Sequence, residues 1–156
     1  MQYSILNNEA FPWNYNSYIV SQNDKRSVDR HQFTHVFFRN SHDEVFKSSH
    51  YSALSDLIEK INPSDLMRVK ANLGIKTAEH VEGGFHTDTK LDHNTAIFYL
   101  NTNNGYTEFQ DGTVVESIAN RLVVFDSTTL HSGFSQTDKN VRCVINLNYK
   151  GGLSYD

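Results

Sequence analysis

The sequence predicts a mainly β fold, a double-stranded β-helix (jelly roll) with one or two supporting helices on an outer sheet face. Three observations lead there. β-prone runs fill most of the chain after Pro63, turn signals such as Asn103-Asn104-Gly105, Asp111-Gly112 and Ser132-Gly133 separate them, and only one stretch carries helical periodicity. Many short strands at close spacing with few helices close into an antiparallel barrel or sandwich.

Taken in order, Phe11 to Val20 is aromatic and β-prone around Trp13, Tyr15 and Tyr18, and reads as a strand. A polar, turn-like segment from Ser21 to Arg30 leads to a second β-prone run, Phe33 to Arg39. Tyr51, Leu54, Leu57, Ile58 and Ile61 then recur at helical spacing, and Asn62-Pro63 ends that helix. The strands expected beyond it are Leu66 to Ile75, Gly84 to Thr89, Thr95 to Asn101, Thr107 to Gln110, Thr113 to Ile118, Arg121 to Asp126 and Val141 to Tyr149. The tail from Lys150 to Asp156 reads as a frayed end.

A length of 156 residues suits one domain, and no repeat, charge block or linker divides it. The expected division is a supporting segment over 1–75 and a barrel core over 82–149. Hydrophobic residues make up 38% and charged residues 21%, which fits a globular chain rather than a disordered one. A net charge of -4 supplies no electrostatic footprint for a phosphate backbone, so nucleic acid is a disfavoured partner. With Cys143 as the single cysteine, the fold needs no intramolecular disulfide, and a reducing compartment suits it. Met1 to Asn8 lacks the basic and apolar regions of a secretion signal, and no run is apolar enough to span a membrane, so a cytoplasmic location is expected.

Chemistry enters with His86-Thr87-Asp88. Successive side chains of a strand alternate faces, so positions 86 and 88 point the same way and can converge on one ion, while Thr87 points away. By itself such a triplet is equally a polar strand end or an Asx turn. His131 follows the apolar run Leu122 to Phe125 and would reach the barrel mouth as a third ligand. Two imidazoles and one carboxylate on one face of a metal leave three positions free, as in non-haem iron(II) oxygenases, although zinc uses similar ligands in hydrolases.

In the last strand, Val141, Cys143, Ile145, Leu147 and Tyr149 share one face, and Arg142, Val144, Asn146 and Asn148 share the other. The apolar face packs under the helix, which turns Arg142 and Asn146 into the barrel. An arginine there needs a carboxylate to offset its desolvation, and a dicarboxylate co-substrate meets that need through two parallel hydrogen bonds. The alternative is an arginine at the rim paired with a surface carboxylate. Similar parity turns Tyr99 inward, where its hydroxyl either meets the same carboxylate or is satisfied within the core.

These residues resemble the 2-oxoglutarate/iron(II) oxygenases, and within them the prolyl 4-hydroxylase-like branch. The matching elements run in the family's order from about Glu82 to Tyr149: FHTD, IFYLN, NGYTEF, RLVVFDSTTLHSGF and VRCVINLNY. The resemblance implies that His86, Asp88 and His131 are iron ligands and that Arg142 anchors the distal carboxylate of 2-oxoglutarate. It further implies that Tyr99 is a second contact to that carboxylate, with Asn146 on the same wall. It implies iron(II), 2-oxoglutarate and O2 as cofactor and co-substrates, with ascorbate as a support, and hydroxylation with release of succinate and CO2. The whole chain is also similar to compact phage-encoded members, for which the location would be the host cytoplasm.

Two positions depart from the pattern: Asn104 stands where many relatives have glycine, and Asn72-Leu73 where several carry a tyrosine. Lys139 competes with Arg142, since parts of the branch use lysine as the anchor, but it falls in the turn-like segment SQTDKN. The substrate stays open between a peptidyl-prolyl chain and an amino acid or other small molecule; Trp13, Tyr15, Tyr18 and the loop Lys90 to Asn94, with an exposed His93, are candidate groove residues. A non-catalytic β-barrel binding module is the rival reading.

Overall fold

The computed structural model describes residues 1–20 and 31–155. The turn-like segment expected from Ser21 to Arg30 lies outside the described residues. Elements follow the order α1 (Gln2–Leu6), β1 (Asn14–Asn16), β2 (Gln32–Asn40), β3 (Val45–Lys47), a 3-10 turn (Tyr51–Leu54), α2 (Ser55–Ile61) and β4 (Asp65–Ile75). They continue through β5 (Asn94–Tyr99), β6 (Tyr106–Phe109), β7 (Val114–Glu116), β8 (Leu122–Asp126), β9 (His131–Phe134) and β10 (Val141–Lys150).

Two antiparallel sheets face each other. The larger has the order β1-β2-β4-β10-β5-β8, with β3 on the free part of β2; the smaller has the order β7-β6-β9. Isolated bridges Glu82↔Phe134 and His86↔His131 add the segment from Glu82 to Asp88 to the outer edge of β9. This is the jelly roll expected from the strand pattern. Among the described residues no helix is long and apolar enough to cross a membrane.

Alternation along β10 sorts the two sides of the larger sheet. Cys143, Ile145, Leu147 and Tyr149 join Val69, Ala71 and Leu73 of β4 and Ala96, Phe98 and Leu100 nearby in the main core, which Ile5 of α1 and Leu57 and Ile61 of α2 cover. Both helices are too short to be stable alone, so burial of their apolar faces holds them in place. Helix α2 stops at Asn62, whose backbone is left-handed with φ 51°, followed by Pro63. On the other side, Ile97, Tyr99, Phe109, Phe125 and Val144 pack between the sheets.

Several local expectations are corrected. The first strand shrinks to Asn14–Asn16, because Phe11 and Trp13 turn into the main core instead of pairing. The expected helix begins as a 3-10 turn, and α1 and β3 were not expected. Ser132 and Gly133 lie inside β9 rather than in a turn. The tail is tied back: Leu153 N–H donates to the Ile61 carbonyl at 2.8 Å, and the Tyr149 hydroxyl donates to the Leu153 carbonyl at 2.6 Å. Gly152, at φ 69°, lies so close to the carbonyls of Ile61 and Asn62 that a Cβ has no room.

Because Leu147 is fully enclosed between the helices and the sheet, Leu147→Ala is expected to cost about 2–5 kcal/mol of stability. Val114→Ala, at a half-exposed edge position, is expected to cost under about 0.5 kcal/mol. Denaturant midpoints of the two variants check this.

Candidate metal centre

The metal-site segment is less regular than a strand. Gly84 has φ 110°, and its N–H donates to the Ser132 hydroxyl at 3.1 Å, which lets the chain bend before His86. His86 and His131 then exchange backbone hydrogen bonds at 3.0 Å in both directions. Asp88 N–H donates to the Ser127 carbonyl at 3.2 Å. Pairing here is confined to single bridges, and Thr87 borders the cavity together with His86 and Asp88.

The donor atoms of His86, Asp88 and His131 all lie within 4.8 Å of one another. Nε2 of His86 is 3.6 Å and Nε2 of His131 is 3.9 Å from the same carboxylate oxygen, Oδ1 of Asp88. Each Nδ1 lies 3.0 Å from a backbone carbonyl two residues back, Gly84 for His86 and Thr129 for His131. A carbonyl only accepts, so each Nδ1 carries a proton, and each Nε2, once it has lost its own, presents a lone pair to the centre. His131 is 2% exposed and packs against the edge of Phe125, whereas the His86 side chain is 30% exposed and forms the open side.

Oδ2 of Asp88 faces the larger sheet. It accepts from Asn148 Nδ2 at 2.9 Å and from the Thr95 hydroxyl at 3.3 Å, and Asn148 also donates to Thr95 at 3.0 Å. Asn148 was legible as an inward residue of the last strand, but its partner was not.

Protonation follows from these contacts. Burial would raise the Asp88 pKa, but hydrogen bonds from His86 and Asn148 and the charges of His131 and Arg68 hold it well below the usual carboxylate range. Burial lowers His131 below the ordinary histidine value, against the pull of the Thr129 carbonyl and Asp88. Burial also acts downward on His86, but Asp88 and the Gly84 carbonyl outweigh it and the net shift is upward. The set therefore offers one ionised carboxylate and two imidazoles, which fits a divalent cation of the iron, manganese or zinc kind.

Beside these ligands lies a cavity of about 280 Å³. Arg142, Asn146 and Val144 of β10 border it, as parity predicts, together with Arg68, Lys70 and Asn72 of β4. Asn146 Oδ1 is buried and accepts no hydrogen bond. Arg142 Nε donates to the Ser117 hydroxyl at 2.9 Å, and one Nη donates to the Tyr106 carbonyl and the Thr107 hydroxyl, each at 3.2 Å. Among the described residues no carboxylate pairs with Arg142, and burial lowers its pKa.

The Tyr99 hydroxyl donates to Thr107 at 2.8 Å, and its ring centroid lies 5.7 Å from the guanidinium carbon of Arg142. Tyr99 thus stands behind Thr107, which borders the cavity where Tyr99 does not. Gly105 closes the turn over Arg142: a Cβ there would come within 2.7 Å of Arg142 Cδ. Asn104, in the place of a family glycine, exchanges hydrogen bonds with Thr137 at 2.7 and 2.8 Å and fastens this turn. Lys139 is exposed.

His93, expected to be exposed, is 6% exposed. Ile19 and Val20 border the cavity, while Trp13 packs against Phe11 on the opposite side of the sheet and Tyr15 is 62% exposed. Arg68 and Lys70 were not singled out from the sequence, although β4 alternates them with core residues Val69 and Ala71.

No family model and no curated protein matches the sequence. Among solved structures, a 2OG-Fe(II) oxygenase-family oxidoreductase from Burkholderia pseudomallei is similar over 93% of this chain and 76% of its own, with a TM-score of 0.66 and 11% identity. A predicted oxalate decarboxylase from Thermotoga maritima is similar over 78% of this chain and 82% of its own, with a TM-score of 0.46 and 12% identity. An RmlC-like cupin protein from Desulfovibrio desulfuricans is similar over 53% and 70%, with a TM-score of 0.42 and 15% identity. The likeness is one of fold. These neighbours do not single out the prolyl 4-hydroxylase-like branch.

Since a metal must displace the proton that Asp88 favours on His86, manganese(II) affinity is expected to fall about tenfold per pH unit once pH drops below the raised His86 pKa. Titration calorimetry across a pH series reads this. In the same assay Asn148→Ala is expected to weaken metal binding about 10–100-fold, because it releases the oxygen that aims Asp88.

Proposed function

We propose that the protein is a non-haem iron(II) and 2-oxoglutarate-dependent dioxygenase that hydroxylates its substrate with release of succinate and CO2. The observation that carries this reading is one cavity bordered both by a His-Asp-His cluster and by an arginine with no carboxylate partner among the described residues. His86, Asp88 and His131 would hold the iron, and when bound it supplies oxygen activation coupled to decarboxylation of the co-substrate.

The chain's own residues supply position and dryness. Arg142 offers free guanidinium hydrogens, with Ser117, Tyr106 and Thr107 fixing its orientation, to the distal carboxylate of 2-oxoglutarate. Thr107 presents a hydroxyl beside it, and Tyr99 acts on the co-substrate through Thr107 and through its ring against Arg142. Asn146 can donate to an oxygen of the ligand. Val144 and Ile97 form apolar wall between the two ends and limit water there. Asp88 retains its carboxylate, which would hold the metal and leave hydroxylation as the expected outcome.

The peptidyl-prolyl substrate rests on sequence resemblance, and an amino acid or other small molecule is the alternative within the same chemistry. A non-catalytic binding module would bind ligands without consuming 2-oxoglutarate. With iron(II), ascorbate and O2, the protein is expected to convert 2-oxoglutarate slowly to succinate even without a substrate, and a ligand-dead Asp88→Ala variant is expected not to. Arg142→Ala is expected to weaken 2-oxoglutarate binding by about 2–5 kcal/mol, and Lys139→Ala to change it by less than about 1 kcal/mol. Succinate quantification and calorimetry check these, and loss of binding in the lysine variant alone would reverse the assignment.

A further inference from the structure

The proposed chemistry leaves two cations of the cavity without a task. Arg68 and Lys70 sit two residues apart on β4, both bordering the cavity. In the sheet register Arg68 stands opposite Asn148 and Lys70 opposite Asn146, so both flank the residues beside the metal ligands rather than Arg142. Among the described residues no hydrogen bond or ion pair engages either side chain, and Arg68 Nε is buried without an acceptor. The sheet is also bent here: β4 carries an extra residue, Met67, where its register with β10 shifts, and β2 carries an extra residue, Phe37, opposite Val69 and Lys70. Bulges commonly re-aim side chains at functional sites.

Charge balance makes the arrangement informative. Arg68, Lys70 and Arg142 face one carboxylate, Asp88, across the cavity. A divalent metal adds two positive charges and 2-oxoglutarate removes two, so the loaded cavity stays positive by two charges. Burial and the neighbouring Arg68 pull the Lys70 ammonium down to about 8 against the opposing charge of Asp88, so the one nearby carboxylate does not offset the two cations. An enclosed site with uncompensated charge draws in ligands of opposite sign.

We propose that Arg68 and Lys70 form a second anion subsite beside the metal, which takes the carboxylate or phosphate of a small acidic prime substrate. This rests on the oxygenase reading and narrows its substrate class. Asn146, opposite Lys70 in the sheet register, adds neutral amide N–H donors next to the pair. Held by its anionic group at β4, such a substrate would present a nearby C–H bond to the open side of the metal. A neutral prolyl peptide would leave both cations unpaired.

The test uses the full-length protein loaded with manganese(II) and saturating 2-oxoglutarate, titrated separately with acetate and inorganic phosphate by calorimetry. Binding of at least one probe is expected, and comparing the two assigns carboxylate or phosphate as the preferred group. Lys70→Gln and Arg68→Gln are each expected to weaken that binding about tenfold or more while 2-oxoglutarate affinity stays within about threefold, and Lys70→Arg to retain it. Circular dichroism and thermal melts check folding, and Lys70→Met, which keeps the stem packing, replaces Lys70→Gln if that variant is unfolded. The proposal is overturned if the wild-type complex binds neither probe, if the variants bind them as wild type does, or if 2-oxoglutarate affinity falls in parallel, which would assign the pair to the co-substrate. Failure of the co-substrate reading shows separately, as an Arg142→Ala variant that binds 2-oxoglutarate normally.

Discussion

Asp88 is the group on which the rest of the arrangement depends. Its side chain is 3% exposed, a costly position for a carboxylate, and it stays ionised because hydrogen bonds to one oxygen and imidazoles facing the other act on it from opposite sheets. Oδ2 takes hydrogen bonds from Asn148 of β10 and Thr95 of β5, in the larger sheet. Oδ1 faces the imidazoles of His86 and His131, which are joined across the edge of the smaller sheet. The carboxylate is thus a clamp between the layers as well as a proposed metal ligand, and a shift in the spacing of the sheets would misplace it. Folding and metal affinity are coupled through this one residue.

The same logic repeats at the other end of the cavity with opposite sign. Arg142 is oriented by neutral oxygens of Ser117, Tyr106 and Thr107, backed by the Tyr99 ring, and roofed by a turn in which only glycine fits at position 105. Neutral acceptors fix the guanidinium without neutralising it, so its charge stays available to a ligand. In the proposed function a carboxylate-bearing molecule would complete the cavity electrostatically, with His86, Asp88 and His131 on its wall.

How much of this was readable beforehand depends on whether a residue's role follows from its own strand or from another. Parity along β10 sufficed to turn Arg142 and Asn146 inward and Ile145 and Leu147 outward, since a ten-residue strand with one apolar face has only one register that buries it. The jelly roll followed from the same strand pattern. Local sequence misled at Ser132-Gly133, where both residues pair with β6 inside β9, Ser132 opposite Glu108 and Gly133 opposite Thr107. Roles that depend on a partner strand stayed hidden. The contact of Asn148 to Asp88 spans 60 positions of sequence, and Arg68 and Lys70 acquire meaning only once β4 is set against β10. His93 looked like a loop residue, but it abuts the start of β5 and is buried there while Leu91 and Asp92 before it are exposed.

The claim that one cavity unites a metal site and a dicarboxylate site is tested most directly by thermodynamic linkage between the two. Calorimetric titration of 2-oxoglutarate, with glutarate as a partner of equal length that lacks the keto oxygen, would be run on the metal-free and manganese(II)-loaded protein. Metal is expected to raise the 2-oxoglutarate affinity by about tenfold or more and to raise glutarate affinity less, and 2-oxoglutarate is expected to raise the manganese(II) affinity by the same factor. Equal 2-oxoglutarate affinity with and without metal would contradict the account.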